Sequence, residues 1–253
     1  FISFHQDGRT LFPGTGHVDE LGGPSAYGYN LNIPLPPGTG EEGFLHVLDH
    51  VILPILDEYK PDIIINSAGQ DNHYTDPITN MNFTAQGYAL LNKKLNPDIA
   101  VLEGGYSIEG ALPYINLGII LAMAGIDYSN VHEPDYKKEN LKQSAEITQY
   151  VEEISKLVYH QWKNREQLRK EKYDGKDYVE QSRQIYYDTD GITENQKQVF
   201  YTCNQCSGLS IINSRSSTHF HVLAVTVPQD ACKNCLDKGY KLYKDTSYAD
   251  YTN

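Results

Sequence analysis

Residues 67–77 read Ser-Ala-Gly-Gln-Asp-Asn-His-Tyr-Thr-Asp-Pro, and residues 102–106 read Leu-Glu-Gly-Gly-Tyr. Carboxylates at Asp71 and Asp76, an imidazole at His73 and a phenol at Tyr106 form a set that can hold a divalent cation and donate to a developing oxyanion. The same aspartates suit turns and helix caps, and a buried tyrosine suits a backbone carbonyl, so residue type leaves both uses open. A second set stands near the other end. Cys203-Asn-Gln-Cys206 and Cys232-Lys-Asn-Cys235 are separated by twenty-five residues and hold all 4 cysteines of the chain. Paired Cys-x-x-Cys knuckles at that spacing point to a closed, four-thiolate zinc ribbon, with two disulfides as the other use of four cysteines.

Chemistry of the first kind needs rigid elements to aim it. Ala26–Ile33 reads as a strand closed by Pro34-Leu35-Pro36-Pro37-Gly38, and the apolar spacing of residues 44–59 predicts an amphipathic helix. Strands follow at 63–67 and 99–102, with helices at 84–95 and 108–124. Alternation at this spacing implies an α/β fold with a parallel sheet, helices on both faces, and short apolar strands buried between them. Ligands of such sheets sit beyond the carboxyl ends of the strands, where Asp71, His73 and Tyr106 fall. Gly69 lets the backbone turn sharply there.

Charge divides the chain. Residues 1–136 hold four basic against seventeen acidic side chains, whereas the rest is nearly balanced. An acidic front half disfavours a nucleic-acid partner and favours cations, although it is equally a solvated surface. No apolar run approaches the length of a membrane span, which predicts a soluble chain with no membrane partner. Phe1-Ile2-Ser3-Phe4-His5 reads as the middle of a strand, which predicts a further segment upstream.

Thr10-Leu11-Phe12-Pro13-Gly14-Thr15-Gly16, the Ser67–Pro77 motif and Leu102-Glu103-Gly104-Gly105-Tyr106-Ser107, taken in order, resemble the zinc-dependent histone deacetylase superfamily. The bacterial branch is the nearest in look, with its acetoin-utilisation proteins and acetylpolyamine amidohydrolases. The resemblance covers residues 1–165 and implies the C-terminal portion of a three-layer arginase/deacetylase-like fold. It also implies roles. Asp71 matches the second aspartate of the catalytic zinc triad, and Tyr106 the oxyanion donor. Phe12 and Ile78 match tunnel walls, and Gly104 and Gly105 the tunnel floor. Ser3 and the Phe4 carbonyl match part of a potassium site. His73 stands where a supporting or rim residue is expected rather than a ligand. The family's Asp-x-His ligand pair and adjacent His-His dyad precede the Phe-Pro-Gly-Thr-Gly motif and are not in this sequence, which predicts that residues 1–253 alone are inactive.

Beyond residue 136, a long charged helix with an apolar stripe (Ile147, Val151, Ile154, Leu157, Val158) is expected to pack on the core. Residues 166–195 read as a linker or exposed helix. Residues 196–245 read as the zinc ribbon, with hairpin strands at 209–213 and 220–227. The function expected from the resemblance is hydrolysis of an acyl amide by metal-activated water, with acyl-lysine as substrate and acylpolyamine as the alternative. A non-catalytic binder that recruits a partner through the ribbon is the competing class. A cytoplasmic location is expected.

Overall fold

The computed structural model describes residues 1–134, 136–137, 141–187, 190–218 and 221–249. β1 (Ile2–Gln6) pairs in parallel with β2 (Leu31–Leu35), Ile2 opposite Leu31 and Gln6 opposite Leu35. α1 (Glu41–Val47), a π-helical turn (Leu48–Ile52) and α2 (Leu53–Tyr59) form one apolar-faced rod, which ends at Lys60 in the left-handed conformation. β3 (Ile65–Ala68) pairs in parallel with β4 (Ile99–Leu102) across α3 (Ala85–Leu95). The hydroxyl of Thr84 caps α3 by accepting from the Gly87 N–H at 3.0 Å. Pro113, in the first turn of α4 (Leu112–Met123), carries no N–H to leave unpaired there.

Phe44 and Phe83, both buried, stack with ring centroids 4.5 Å apart at the centre of the core, and Phe4 meets Phe44 edge-on. α5 (Ala145–Lys163) lays Val151, Ile154, Val158 and Trp162 on this core. The long helix expected beyond residue 136 is thus shorter and broken: Asn164 leaves helical geometry, and α6 (Arg165–Tyr173) follows as a separate helix.

The parallel sheet departs from expectation in one respect. Among the described residues β1–β2 and β3–β4 are separate two-stranded sheets. All five residues of β2 are buried, as a sheet covered on both faces requires, yet Ile65, Ile99, Val101 and Leu102 are exposed. Val101 and Leu102 point to opposite faces of the strand, so the apolar residues left bare lie on both faces of this pair. Strand β2 also starts later than expected, because residues 26–30 form turns rather than strand.

Residues 166–195, read as a linker or exposed helix, are helical only over α6, and the remainder is corrected to strand. The stretch folds as α6 and then as β5 (Tyr178–Tyr187), the first strand of an antiparallel meander with β6 (Ile192–Tyr201), β7 (Leu209–Ser216) and β8 (Val222–Thr226). Its Lys, Tyr and Gln content resembled a solvated connector because one face of β5 is open to water. Every second residue points the other way, and there Ile185 is buried and Val179 packs on the main core. β7 and β8 correspond to the expected hairpin strands, Phe220 lying outside the described residues. α7 (Lys233–Ala249) packs back against β8, so closely that a methyl group on Gly239 would meet Val227 at 2.5 Å.

Candidate active site and four-cysteine cluster

β3 ends at Ala68, and the backbone then turns through Gly69 so that Gln70 N–H donates to the Gly104 carbonyl at 2.5 Å, tying the loop after β3 to the loop after β4. That tie places Asp71 and Tyr106 side by side. A methyl group added to Gly104 would lie 2.9 Å from Asp71 Oδ2, which would have to shift, and in ordinary contact with the Tyr106 ring at 3.6 Å. Gly105 is equally confined, since a methyl there would strike Leu112 at 2.8 Å and Gln70 at 3.0 Å. Asp76 binds the far side: its Oδ2 accepts from Tyr106 N–H at 2.8 Å and its Oδ1 from Ile78 N–H at 2.9 Å. The Thr79 hydroxyl donates to the Asp71 carbonyl. Burial, with the charge of Asp76 added to it, pushes the Asp71 carboxyl above the ordinary aspartate range. A cation would relieve that cost. The Tyr106 ring is half exposed and open to a ligand.

His73 lies elsewhere than at a rim. It is fully buried, with Nε2 3.2 Å from Glu133 Oε1 and Nδ1 2.9 Å from the Thr75 hydroxyl, which in turn meets Ser107 Oγ at 2.7 Å. This chain of contacts runs behind the loop and ends on the residue next to Tyr106. Glu133 had no sequence signal, because an isolated glutamate in a Val-His-Glu-Pro loop carries no periodicity. Burial alone would raise its carboxyl, but the bond from His73 and backbone donors hold it below the usual range.

Phe12 and Ile78 are about half exposed, on loops that meet where Gln6 Oε1 accepts from Asn80 N–H at 2.7 Å. The Ser3 hydroxyl is bonded to His5 Nδ1 at 2.8 Å, so in this arrangement it is engaged with a side chain rather than turned to an ion. Among the described residues no group of three or more His, Cys, Asp or Glu side chains gathers around Asp71, and a single carboxylate does not make a zinc site.

A cavity of about 640 Å³ separates the two parallel pairs. Its walls include residues 1–5 along β1, residues 63–69 along β3, the rings of Phe44, Phe83 and Trp162, and Asp71. The two pairs therefore turn toward a common hollow that reaches the carboxylate.

Residues 1–116 match the histone deacetylase domain family. The chain is 48% identical over 178 residues to a probable deacetylase of Archaeoglobus fulgidus, covering 64% of this chain and 49% of the relative. It is 35% identical over 144 residues to the acetoin utilization protein AcuC of Bacillus subtilis, covering 53% and 37%. The crystal structure of the HDA15 HD domain matches with a TM-score of 0.54 at 27% identity, over 64% of this chain and 44% of that one. The histone deacetylase Clr3 shares the fold, with a TM-score of 0.55 at 22% identity, over 65% of this chain and 28% of that one. The chain thus spans about half the length of the archaeal deacetylase and less of the others. The deacetylase fold also accounts for the parallel pairing of β1–β2 and β3–β4.

The cysteines do converge. Their four sulfurs lie within 4.8 Å of one another, and Cys203 Sγ and Cys232 Sγ are 3.8 Å apart, without a disulfide. Four thiolates at about 2.3 Å from a tetrahedral zinc are spaced by about 3.8 Å. Gln205 N–H donates to Cys203 Sγ and Gly208 N–H to Cys206 Sγ, both at 3.4 Å, as the turn of the first knuckle directs. The Gln205 bond, with the Cys206 and Cys235 thiols beside it, lowers the Cys203 thiol to about 6, while burial pushes the Cys235 thiol up. The donor set, its spacing and its N–H···S bonds all fit a structural metal.

Proposed function

We propose that residues 1–165 form the C-terminal part of a zinc-dependent deacylase that hydrolyses an acyl amide, acetyl-lysine foremost, and that residues 1–253 alone do not turn over. The observation that carries this reading is the cavity between β1 and β3, which Asp71 helps to line, with Tyr106 close to that carboxylate across Gly104. Two strand edges that face one cavity have unpaired N–H and C=O groups along them, and an extended segment is the element that satisfies both. Such a strand would deliver its last residues next to Asp71, where further ligands are wanted. The bare apolar residues of β3 and β4 support a second missing neighbour on that pair.

Within these residues, Tyr106 would hydrogen-bond the carbonyl oxygen as negative charge develops on it, a contribution worth about 2.7 to 4 kcal/mol for single donors of this kind. Asp76 fixes the Tyr106 backbone, and the two glycines keep the floor open. The four-cysteine cluster holds a structural zinc, whose chemistry is to cross-link β6 to the start of α7. The incomplete donor set around Asp71 favours a second reading, in which the unit binds an acylated amine without cleaving it.

The test compares release of acetate from an acetyl-lysine peptide and from acetylspermidine. It uses this polypeptide alone and the same polypeptide with an upstream strand bearing Asp-x-His supplied. Turnover that appears only with the strand, and falls about a hundredfold with Tyr106→Phe, is the expected result. Zinc-dependent turnover by residues 1–253 alone would overturn the completion idea, and none in either form would leave the binder.

A further inference from the structure

The β5–β6 hairpin reaches across to the deacetylase part. Alternate residues Arg183, Ile185 and Tyr187 share one face of β5. Ile185 is buried, the Arg183 guanidinium lies 3.9 Å from the Glu20 carboxylate, and the Tyr187 ring stands 5.8 Å from the Phe12 ring at 53°. The separation and tilt are those of a favourable aromatic pair. Nor is Tyr187 a loosely held ring. Its hydroxyl donates to Glu194 at 2.5 Å, and Glu194 also receives Gln196 Nε2 at 2.7 Å and the Ser214 hydroxyl, so three strands fix the tyrosine.

We infer that Tyr187 is a specificity-determining wall of the substrate entrance, supplied by the C-terminal sheet to face Phe12 and to contact the polypeptide that presents an acyl-lysine. The inference rests on the proposed deacylase reading, in which Phe12 lines the entrance. A ring held against the outer edge of that entrance touches what lies beyond the acyl-lysine side chain. It therefore distinguishes a lysine in a polypeptide from a small acylated amine, which ends before reaching it. Glu194 lies on the same strand that leads into Cys203, so the four-cysteine cluster braces this wall from behind.

The experiment measures kcat/KM for an acetyl-lysine peptide and for acetylspermidine in the chain supplied with the upstream strand. Tyr187→Ala is expected to lower the peptide value by about two- to tenfold, mainly through KM, with the small amine unchanged. Tyr187→Phe keeps the ring and should stay near wild type. Tyr178→Ala, on the opposite face of the same strand, should change neither value. Equal losses on both substrates, or none on the peptide, overturn the inference. If the wild-type chain hydrolyses neither, the deacylase reading falls and a fluorotyrosine resonance at position 187 decides the rest. A shift on adding the acetyl-lysine peptide, absent with acetylspermidine, sustains the wall; no shift rejects it.

Discussion

The two halves of this chain solve the edge problem of a β-sheet in opposite ways. In the C-terminal sheet every strand pairs with its sequence neighbour, the turns are short, and the four sulfurs needed for one metal come together from two knuckles and the strands between them. In the front half each strand pairs with a partner some thirty residues away, the two pairs stand apart, and Asp71 is among the residues that line the cavity between them. An antiparallel meander can be complete within fifty residues because its pairings are local. A parallel sheet recruits strands from anywhere in the chain, so part of it can be present in good order and still be unfinished.

If that contrast is right, the C-terminal sheet should depend on its metal far more than the front half does. Chelation, or Cys235→Ser, is expected to abolish protection of the β6 and β7 amides in hydrogen exchange, since structural zinc contributes on the order of 10 kcal/mol to modules of this kind. Amides of α3 and α5 should stay protected, and metal analysis should give one zinc per chain. A β6–β7 ladder that survives chelation would break the contrast at its strongest point.

What could be read in the sequence follows the same division. Ile99–Leu102, the helix expected over 84–95 and the cysteine spacing announce themselves locally, and each appears where its residues direct. The proximity of Asp71 and Tyr106 could be named only through family motifs, because the bond that creates it joins the Gln70 N–H to a carbonyl thirty-four residues on. β5 was misread since its polar face dominates composition while Ile185 and Val179 bury the other. The Glu133–His73 contact spans sixty residues with no pattern to betray it.

That contact makes the second prediction. Both side chains are fully buried, and removing one leaves the other without its partner in a dry site. Glu133→Ala should destabilise the front half by about 3 kcal/mol, read as a fall in denaturant midpoint. His73→Ala should cost a similar amount, and the double variant should lose clearly less than the two together. Additive losses would mean that the two residues act separately and that the loop before Tyr106 is held by other bonds.

The smallest effect tests whether the front half, open at its centre, is nonetheless closed at its seams. Glu58, at the end of α2, accepts from Tyr159 Oη at 2.9 Å, Trp162 Nε1 at 3.0 Å and Lys163 Nζ at 3.0 Å, joining α2 to the last turns of α5. Those three donors, the lysine foremost, lower the Glu58 carboxyl from the usual 4.5 to about 2. A carboxyl lowered on folding contributes stability that is fully present above its unfolded value and is lost as protons bind. The seam should therefore be intact at pH 5 and above and weaken between about 4.5 and 2. Trp162 is the one tryptophan of the chain, so its fluorescence reports that joint. Glu58→Gln should flatten the acid limb of the emission profile while leaving the neutral spectrum close to wild type. An acid limb unchanged by the substitution would assign the transition to other carboxylates, and α5 would then be held by its apolar contacts with the core, Val151, Ile154, Val158 and Trp162 among them.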